Sequence, residues 1–247
     1  MTAKELYHAG QLDQAIQTLS AELRDNPTDN RRRTFLFELL CFAGEWDRAE
    51  KHLNLLADQS KEAQMGAVLY LSAVHAERVR HETFAKRDYP SVAADATPRG
   101  GALNGKRFES FEDADPRIGP RMEVFAAGAY LWIPLAHVES IETQEPTKLR
   151  DLLWTPAIVK TGPAFQGMEL GQVLIPVISP FSYKQSDGNV RLGRATEWGQ
   201  DETGQDVPFG QKVFLVDDEE IPILEIRKVE FDAAAASDDS AEGAAAS

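Results

Sequence analysis

Phe111-Glu112-Asp113-Ala114-Asp115-Pro116-Arg117-Ile118-Gly119-Pro120 holds the densest polar constellation in the C-terminal half of the chain. Two carboxylates beside a guanidinium can do acid/base work where burial pushes their pKa values apart, so Asp113, Asp115 and Arg117 would be the centre of a hydrolase or transferase. The plainer reading is a turn, in which Asp side chains accept backbone N–H bonds and Arg117 neutralises them. Other chemistry is scarce. The sequence has no phosphate-cradling Gly motif, no His-Glu-x-x-His and no Gly-x-Ser-x-Gly. His8, His52, His75, His81 and His137 include no pair three or four residues apart, so neither a zinc site nor any other metal or cofactor is expected. Cys41 is the single cysteine; set in Phe35-Leu36-Phe37-Glu38-Leu39-Leu40-Cys41-Phe42, it reads as a core thiol and excludes an intramolecular disulfide. Asp217-Asp218-Glu219-Glu220 reads as a solvated hairpin tip, and Arg150-Asp151 and Arg191-Leu192-Gly193-Arg194 as ion-pairing or interface residues.

The elements that carry these residues fall into two halves. Ala9-Gly10-Gln11-Leu12-Asp13-Gln14-Ala15 recurs 34 residues later as Ala43-Gly44-Glu45-Trp46-Asp47-Arg48-Ala49, with Leu6 matching Leu40 and Leu19 matching Leu53. That is the period of tetratricopeptide helix pairs. Thr2-Ala3-Lys4-Glu5 reads as a capping box opening a short first helix to Ala9. Leu12, Ala15, Ile16, Leu19 and Leu23 share one face of a second helix, which Asn26-Pro27-Thr28-Asp29 ends. A third helix runs to about Ala43, Trp46, Ala49, Leu53 and Leu56 form the stripe of a fourth, and Ser60 caps a fifth from Lys61 to about Arg80. So short an array leaves unfinished apolar faces, which the rest of the chain or a partner must cover.

Beyond a Pro- and Gly-rich linker, placed at 90–105, the periodicity shifts toward two. Met122 to Phe125 and Ala129 to Ile133 flank Ala126-Ala127-Gly128 as a hairpin; His137 to Glu142, Ala157 to Val159, Val173 to Ile178, Lys212 to Val216 and Ile221 to Phe231 are further strands. The predicted fold is α+β: a tetratricopeptide-like helical repeat domain over 1–89 and a mainly antiparallel β domain over 106–232, closing into a small barrel. Residues 233–247, rich in Ala, Ser and Asp, read as a disordered acidic tail.

Net charge is −14. Residues 1–89 carry 12 Lys and Arg against 14 Asp and Glu, whereas residues 90–232 carry 14 against 23. This balance repels phosphate backbones and argues against a nucleic-acid role. No apolar run reaches the ~20 residues needed to span a bilayer and no secretory signal opens the chain, so a cytoplasmic protein without membrane insertion is expected. One tension remains: Arg31, Arg32 and Arg33 crowd the N-terminus of the third helix, where the macrodipole disfavours each cation by about 0.3–1 kcal/mol. Asp25 and Asp29, or an acidic group from elsewhere, must offset it.

Five segments together resemble one family. Asn26-Pro27-Thr28-Asp29 leading into Arg33 to Gly44 and Trp46-Asp47-Arg48-Ala49-Glu50, then Asp113 to Pro120, Gly128-Ala129-Tyr130-Leu131-Trp132-Ile133-Pro134, Leu149 to Ala157 and Arg191 to Trp198 are similar, in order, to the ImpE (TagJ, or SciE-type) proteins. The resemblance implies a non-enzymatic accessory protein of bacterial type VI secretion. It further implies a partner in the small subunit of the contractile sheath, through that subunit's N-terminal helix, and a link to the AAA+ ATPase that disassembles contracted sheaths. An amphipathic helix would suit an exposed groove of the repeats. Arg31, Arg33, Trp46 and Arg48 are the candidate partner-binding residues; Trp46 also lies on the apolar stripe of its helix and so has a packing reading beside the binding one. A general peptide-binding co-chaperone and the enzyme centred on Asp113, Asp115 and Arg117 are the competing readings.

Overall fold

A computed structural model describes residues 1–90, 99–162 and 170–233. Its helical half is α1 (Ala3–His8), α2 (Leu12–Asp25), α3 (Asn30–Phe42), α4 (Trp46–Ala57) and α5 (Lys61–Lys86). Thr2 closes the expected capping box: its N–H donates to Glu5 Oε2 at 2.8 Å while Glu5 N–H donates to Thr2 Oγ1 at 3.3 Å. The two glycine turns are the same structure used twice. Gly10 and Gly44 have φ of 75° and 70°, a conformation that other residues adopt only with strain. Around them Ala9, Gly10 and Gln11 donate to the carbonyls of Glu5, Tyr7 and Leu6, and Ala43, Gly44 and Glu45 donate to those of Leu39, Cys41 and Leu40. Ala15 and Ala49 are buried in the close approach of the paired helices, as are Leu6, Leu19, Leu40, Leu53 and the Cys41 thiol.

The second half is an eight-stranded antiparallel sheet in the order β2-β1-β13-β6-β7-β8-β4-β5, where β1 is Gly101–Leu103, β2 Lys106–Phe108, β4 Arg121–Ala126, β5 Ala129–Pro134, β6 Val138–Thr143, β7 Trp154–Thr161, β8 Gln172–Pro176 and β13 Lys228–Phe231. A three-stranded sheet joins β3 (Phe111–Asp113), β11 (Val213–Val216) and β12 (Glu219–Pro222), and β9 (Thr196–Gln200) pairs with β10 (Asp206–Gly210). The expected hairpin is β4–β5, turned by Ala127 and Gly128, both at positive φ. The acidic tip is the β11–β12 turn, where Asp217 Oδ1 accepts from the backbone of Glu109 and Ser110, each at 2.8 Å.

The structure corrects three expectations. The large sheet ends at β2 and β5 without closing, so there is no barrel: the three-stranded sheet supplies the second wall, with Phe111 stacked on Phe214 and edge-on to Phe231. The run Ile221 to Phe231 divides, a 3-10 turn at Ile223–Glu225 passing the chain from one sheet to the other. Strand β1 falls inside the stretch read as linker; residues 91–98 of that stretch, and the tail from residue 234, lie outside the described residues.

Alternation along the strands separates two cores. Met122 and Val124 of β4, and Val173 and Ile175 of β8, face the three-stranded sheet; Phe125 and Leu174 face the helices and share one core with Leu36, Leu39, Ala73 and Trp154. The β half thus covers part of the apolar surface that the short helical array leaves open, while Met65, Val68 and Leu69 of α5 stay exposed. Arginines pin the joint. Arg191 donates to both carboxylate oxygens of Asp13 at 2.7 and 2.9 Å, Arg194 to the carbonyls of Tyr7 and His8, and Arg150 lies 3.6 Å from Glu38 and over the Tyr70 ring. No helix of the described residues is long and apolar enough to cross a membrane.

Candidate partner-binding site

Asp113, Asp115 and Arg117 are buried within the chain's own packing. Asp115 Oδ1 accepts from the Arg117 backbone N–H at 3.0 Å and from its Nε at 2.8 Å, and the guanidinium lies 4.7 Å from the Phe84 ring centroid, on α5. Asp113 pairs with Lys212, whose Nζ also reaches Glu123 Oε2 at 2.7 Å. Glu123 in turn takes two bonds from Arg80 of α5, at 2.7 and 2.9 Å. Arg80 donates further to Glu77 and to the carbonyl of Ile178, both at 2.9 Å, while Trp154 Nε1 donates to Glu77 at 3.0 Å. The side chains of Arg80, Glu123, Lys212 and Asp113 are 1, 0, 2 and 1% exposed.

Electrostatics sorts the acids of this network. Burial pushes Asp113 up from 3.8 to about 7; Lys212 relieves this only in part, and Glu123 and Asp115 push it further up. Burial would raise Glu123 too, but Arg80 and Lys212 outweigh it and hold that carboxyl well below its ordinary range. Burial works against Lys212 as a cation, yet Asp113 and Glu123 keep it above its ordinary value. Arg80 and Lys212 therefore favour the ionised forms of Glu77 and Glu123, and Asp113 is the acid of the set whose proton is hardest to remove. These groups tie α5 to β3, β4 and the strand approaching β11. Buried and bonded to one another, they form a strut between the two halves.

The open surfaces lie on the helices. A groove of about 630 Å³ runs between α2, α3 and α4, floored by Ile16, Leu23 and Leu36 and edged by Arg24, Arg33, Arg48 and His52. A cleft of about 660 Å³ lies where α4 and α5 meet the segment 181–184, with Trp46, Arg48, Arg78, His81, Phe181 and Tyr183 on its walls. The expected binding residues are thus divided: Arg33 and Arg48 edge the groove, Trp46 and Arg48 the cleft, and exposed Arg31 lines neither. Trp46 is half-buried, its ring 5.7 Å from that of His81. The tension at the start of α3 is relieved locally. Asp29 caps the helix by accepting from Arg32 N–H at 3.0 Å, and the Arg32 guanidinium bonds to Asp29 and to Glu22, not Asp25. Arg33 is left to the carbonyl of Pro27 and to His52 Nδ1. Among the described residues no group of three or more His, Cys, Asp or Glu is arranged to hold a metal ion.

Sequence reasoning overlooked Arg24 and His52 at the groove and Glu77, Arg80, Glu123 and Lys212 in the strut. The missed signal was single charges set into apolar faces: Glu77 and Arg80 lie beside buried Ala73, Val74 and Ala76, and Glu123 sits between Met122 and Val124.

Comparison with known proteins gives these features a context. The profile of the family described as ImpE protein matches residues 105–230, half of the chain and nearly all of its sheets. A Pseudomonas aeruginosa protein named type VI secretion system accessory component TagJ is 30% identical over an alignment covering 94% of this chain and 92% of its own. The chain belongs to the ImpE family. The crystal structure of protein VPA1032 from Vibrio parahaemolyticus has the same fold, with a TM-score of 0.79 over 93% of this chain and 97% of that one at 23% identity. The ImpE profile begins beside β1 and ends within β13, so it covers Asp113, Glu123 and Lys212 of the strut and leaves Arg80 to the helical half.

Proposed function

We propose that this protein is a non-enzymatic accessory component of a bacterial type VI secretion system, acting in the cytoplasm. Its helical half, a tetratricopeptide-like array, holds the N-terminal amphipathic helix of the small sheath subunit, and the whole protein links that subunit to the AAA+ ATPase that disassembles contracted sheaths. Membership of the ImpE family and the name of the Pseudomonas aeruginosa relative support the secretion role. The observation that carries the binding role is the groove between α2, α3 and α4, long and apolar at its floor with cations on its rim. A helix laid there would bury a few Leu or Ile anchors, each contributing about 1.5–3 kcal/mol, which after association costs leaves micromolar affinity. The non-enzymatic reading draws support from the burial of Asp113 and Asp115.

Calorimetric titration of the full chain with a peptide of the small sheath subunit's first helix tests this. Micromolar binding is expected, with a C-terminal chaperone-tail peptide remaining unbound. Gln17→Trp, at an exposed position on the groove wall, should block the site while far-UV circular dichroism stays unchanged. A native chain that ignores the sheath peptide, or prefers the chaperone tail, overturns the reading.

A further inference from the structure

The α2–α3–α4 groove carries one sign of charge. Arg24, Arg33 and Arg48 stand on its edge with His52, and its walls hold no Asp or Glu, on a chain whose net charge is −14. Neighbouring acids match this positive field only in part. Arg32, one residue away, faces out of the groove and is matched by Glu22 and Asp29. Arg33 instead bonds to two uncharged acceptors, the Pro27 carbonyl and His52 Nδ1. Arg48 spends one amino group on Glu45 and extends the other across the groove mouth to Ser20 Oγ at 3.4 Å, bridging α4 and α2. His52 registers the field: burial, then Arg33 and Arg48, push its pKa below the ordinary imidazole value.

We infer that this groove selects an amphipathic helix whose flank carries carboxylates, and that those acids, more than the apolar stripe, decide which helix is accepted. The inference rests on the reading that the groove holds a helix, and adds what kind. Apolar floors accept many Leu- or Ile-bearing helices with similar affinity, whereas charge complementarity steers encounter and rejects wrong partners. Guanidinium groups suit this task because their planar donors meet a carboxylate two bonds at a time. Carboxylates three or four residues apart on a helix share one flank and can face the arginines together. A phosphate backbone would meet the same cations but would suffer repulsion from the acidic remainder of the chain.

The test uses the full chain and two pairs of peptides: the sheath helix in its native form and with its Asp and Glu changed to Asn and Gln, and a designed helix with one apolar stripe and either a Glu or a Gln flank. Native protein should bind the acidic member of each pair at least tenfold tighter, with the difference shrinking as salt rises. R24Q/R33Q/R48Q should bind both members alike, and R24Q/R48Q, confined to exposed positions, gives the same comparison if the triple variant misfolds. Equal affinity of native protein for both members, a variant that still discriminates, or binding of a single-stranded oligonucleotide in preference to the peptides overturns the inference. The outcomes separate the two claims. Sheath peptides that bind equally well in both forms leave the adaptor reading standing and remove the charge rule; a designed acidic helix that binds where the sheath peptide does not does the reverse.

Discussion

At the scale of single residues, the strut shows how a buried set of charges settles its own protonation. An uncompensated buried charge costs several kcal/mol, so two cations shared among three carboxylates leave Asp113, the least compensated, with a raised pKa. Glu123 holds both Arg80 and Lys212, so Glu123→Gln strips the shared counter-charge and should cost about 3–5 kcal/mol in urea denaturation. Asp113→Asn leaves Glu123 to pair with both cations and should cost clearly less. The pH dependence follows from the same assignment. Asp113 is raised when folded, from 3.8 to about 7, so the folded chain binds the extra proton between those limits and this group's contribution to stability falls as pH rises through that window. Asp113→Asn should flatten that part of the stability–pH curve, and a variant with an unchanged slope would place the proton elsewhere.

At the scale of elements, what could be read from the sequence was whatever repeats locally. The 34-residue period located both glycine turns and the helices around them, because a glycine at positive φ and an alanine in a helix crossing are needed wherever that turn is built. Strand positions followed from alternation, and the roles of Arg150, Arg191 and Arg194 as interface residues were legible too. Sheet order was not, because β1 pairs with β13 and β3 with β11 through contacts that no local pattern encodes. Helix α5 runs six residues past its expected end for a related reason: its last two turns are stabilised by Glu123, Trp132 and Arg117 from the other half. Arg31, Arg33, Trp46 and Arg48 follow from exposure and helix position alone, which do not tell which faces stay open; the groove and the cleft divide them. The turns also have a function beyond turning. A Cβ on Gly188 would lie 1.7 Å from the Gly10 carbonyl oxygen, so Gly188→Ala forces the joint apart and should destabilise the protein by about 1–3 kcal/mol, read as a lowered Tm. An unchanged Tm would show that the joint yields freely.

At the scale of the whole molecule, the two halves share one hydrophobic core and behave as a single unit. Trp154, Phe125 and Leu174 pack among helical residues, and the Arg80 strut has acids from both sides. Residues 1–89 made alone would expose that core surface and leave Arg80 with only Glu77. The fragment is therefore expected to keep helical far-UV dichroism but lose near-UV signal and bind hydrophobic dye, whereas a cooperative unfolding transition with fixed tertiary structure would show the helical half to be self-sufficient. The same strut has a consequence in time. Arg80 is synthesised 43 residues before Glu123 and 74 before Trp154, and at about 5–20 residues per second the longer separation lasts about 4–15 s. Until Glu123 emerges the nascent helix carries a guanidinium awaiting its second carboxylate, and until Trp154 emerges an apolar side awaiting its tryptophan, so a translational pause between Arg80 and Trp154 lengthens the period in which one half-made chain can meet another.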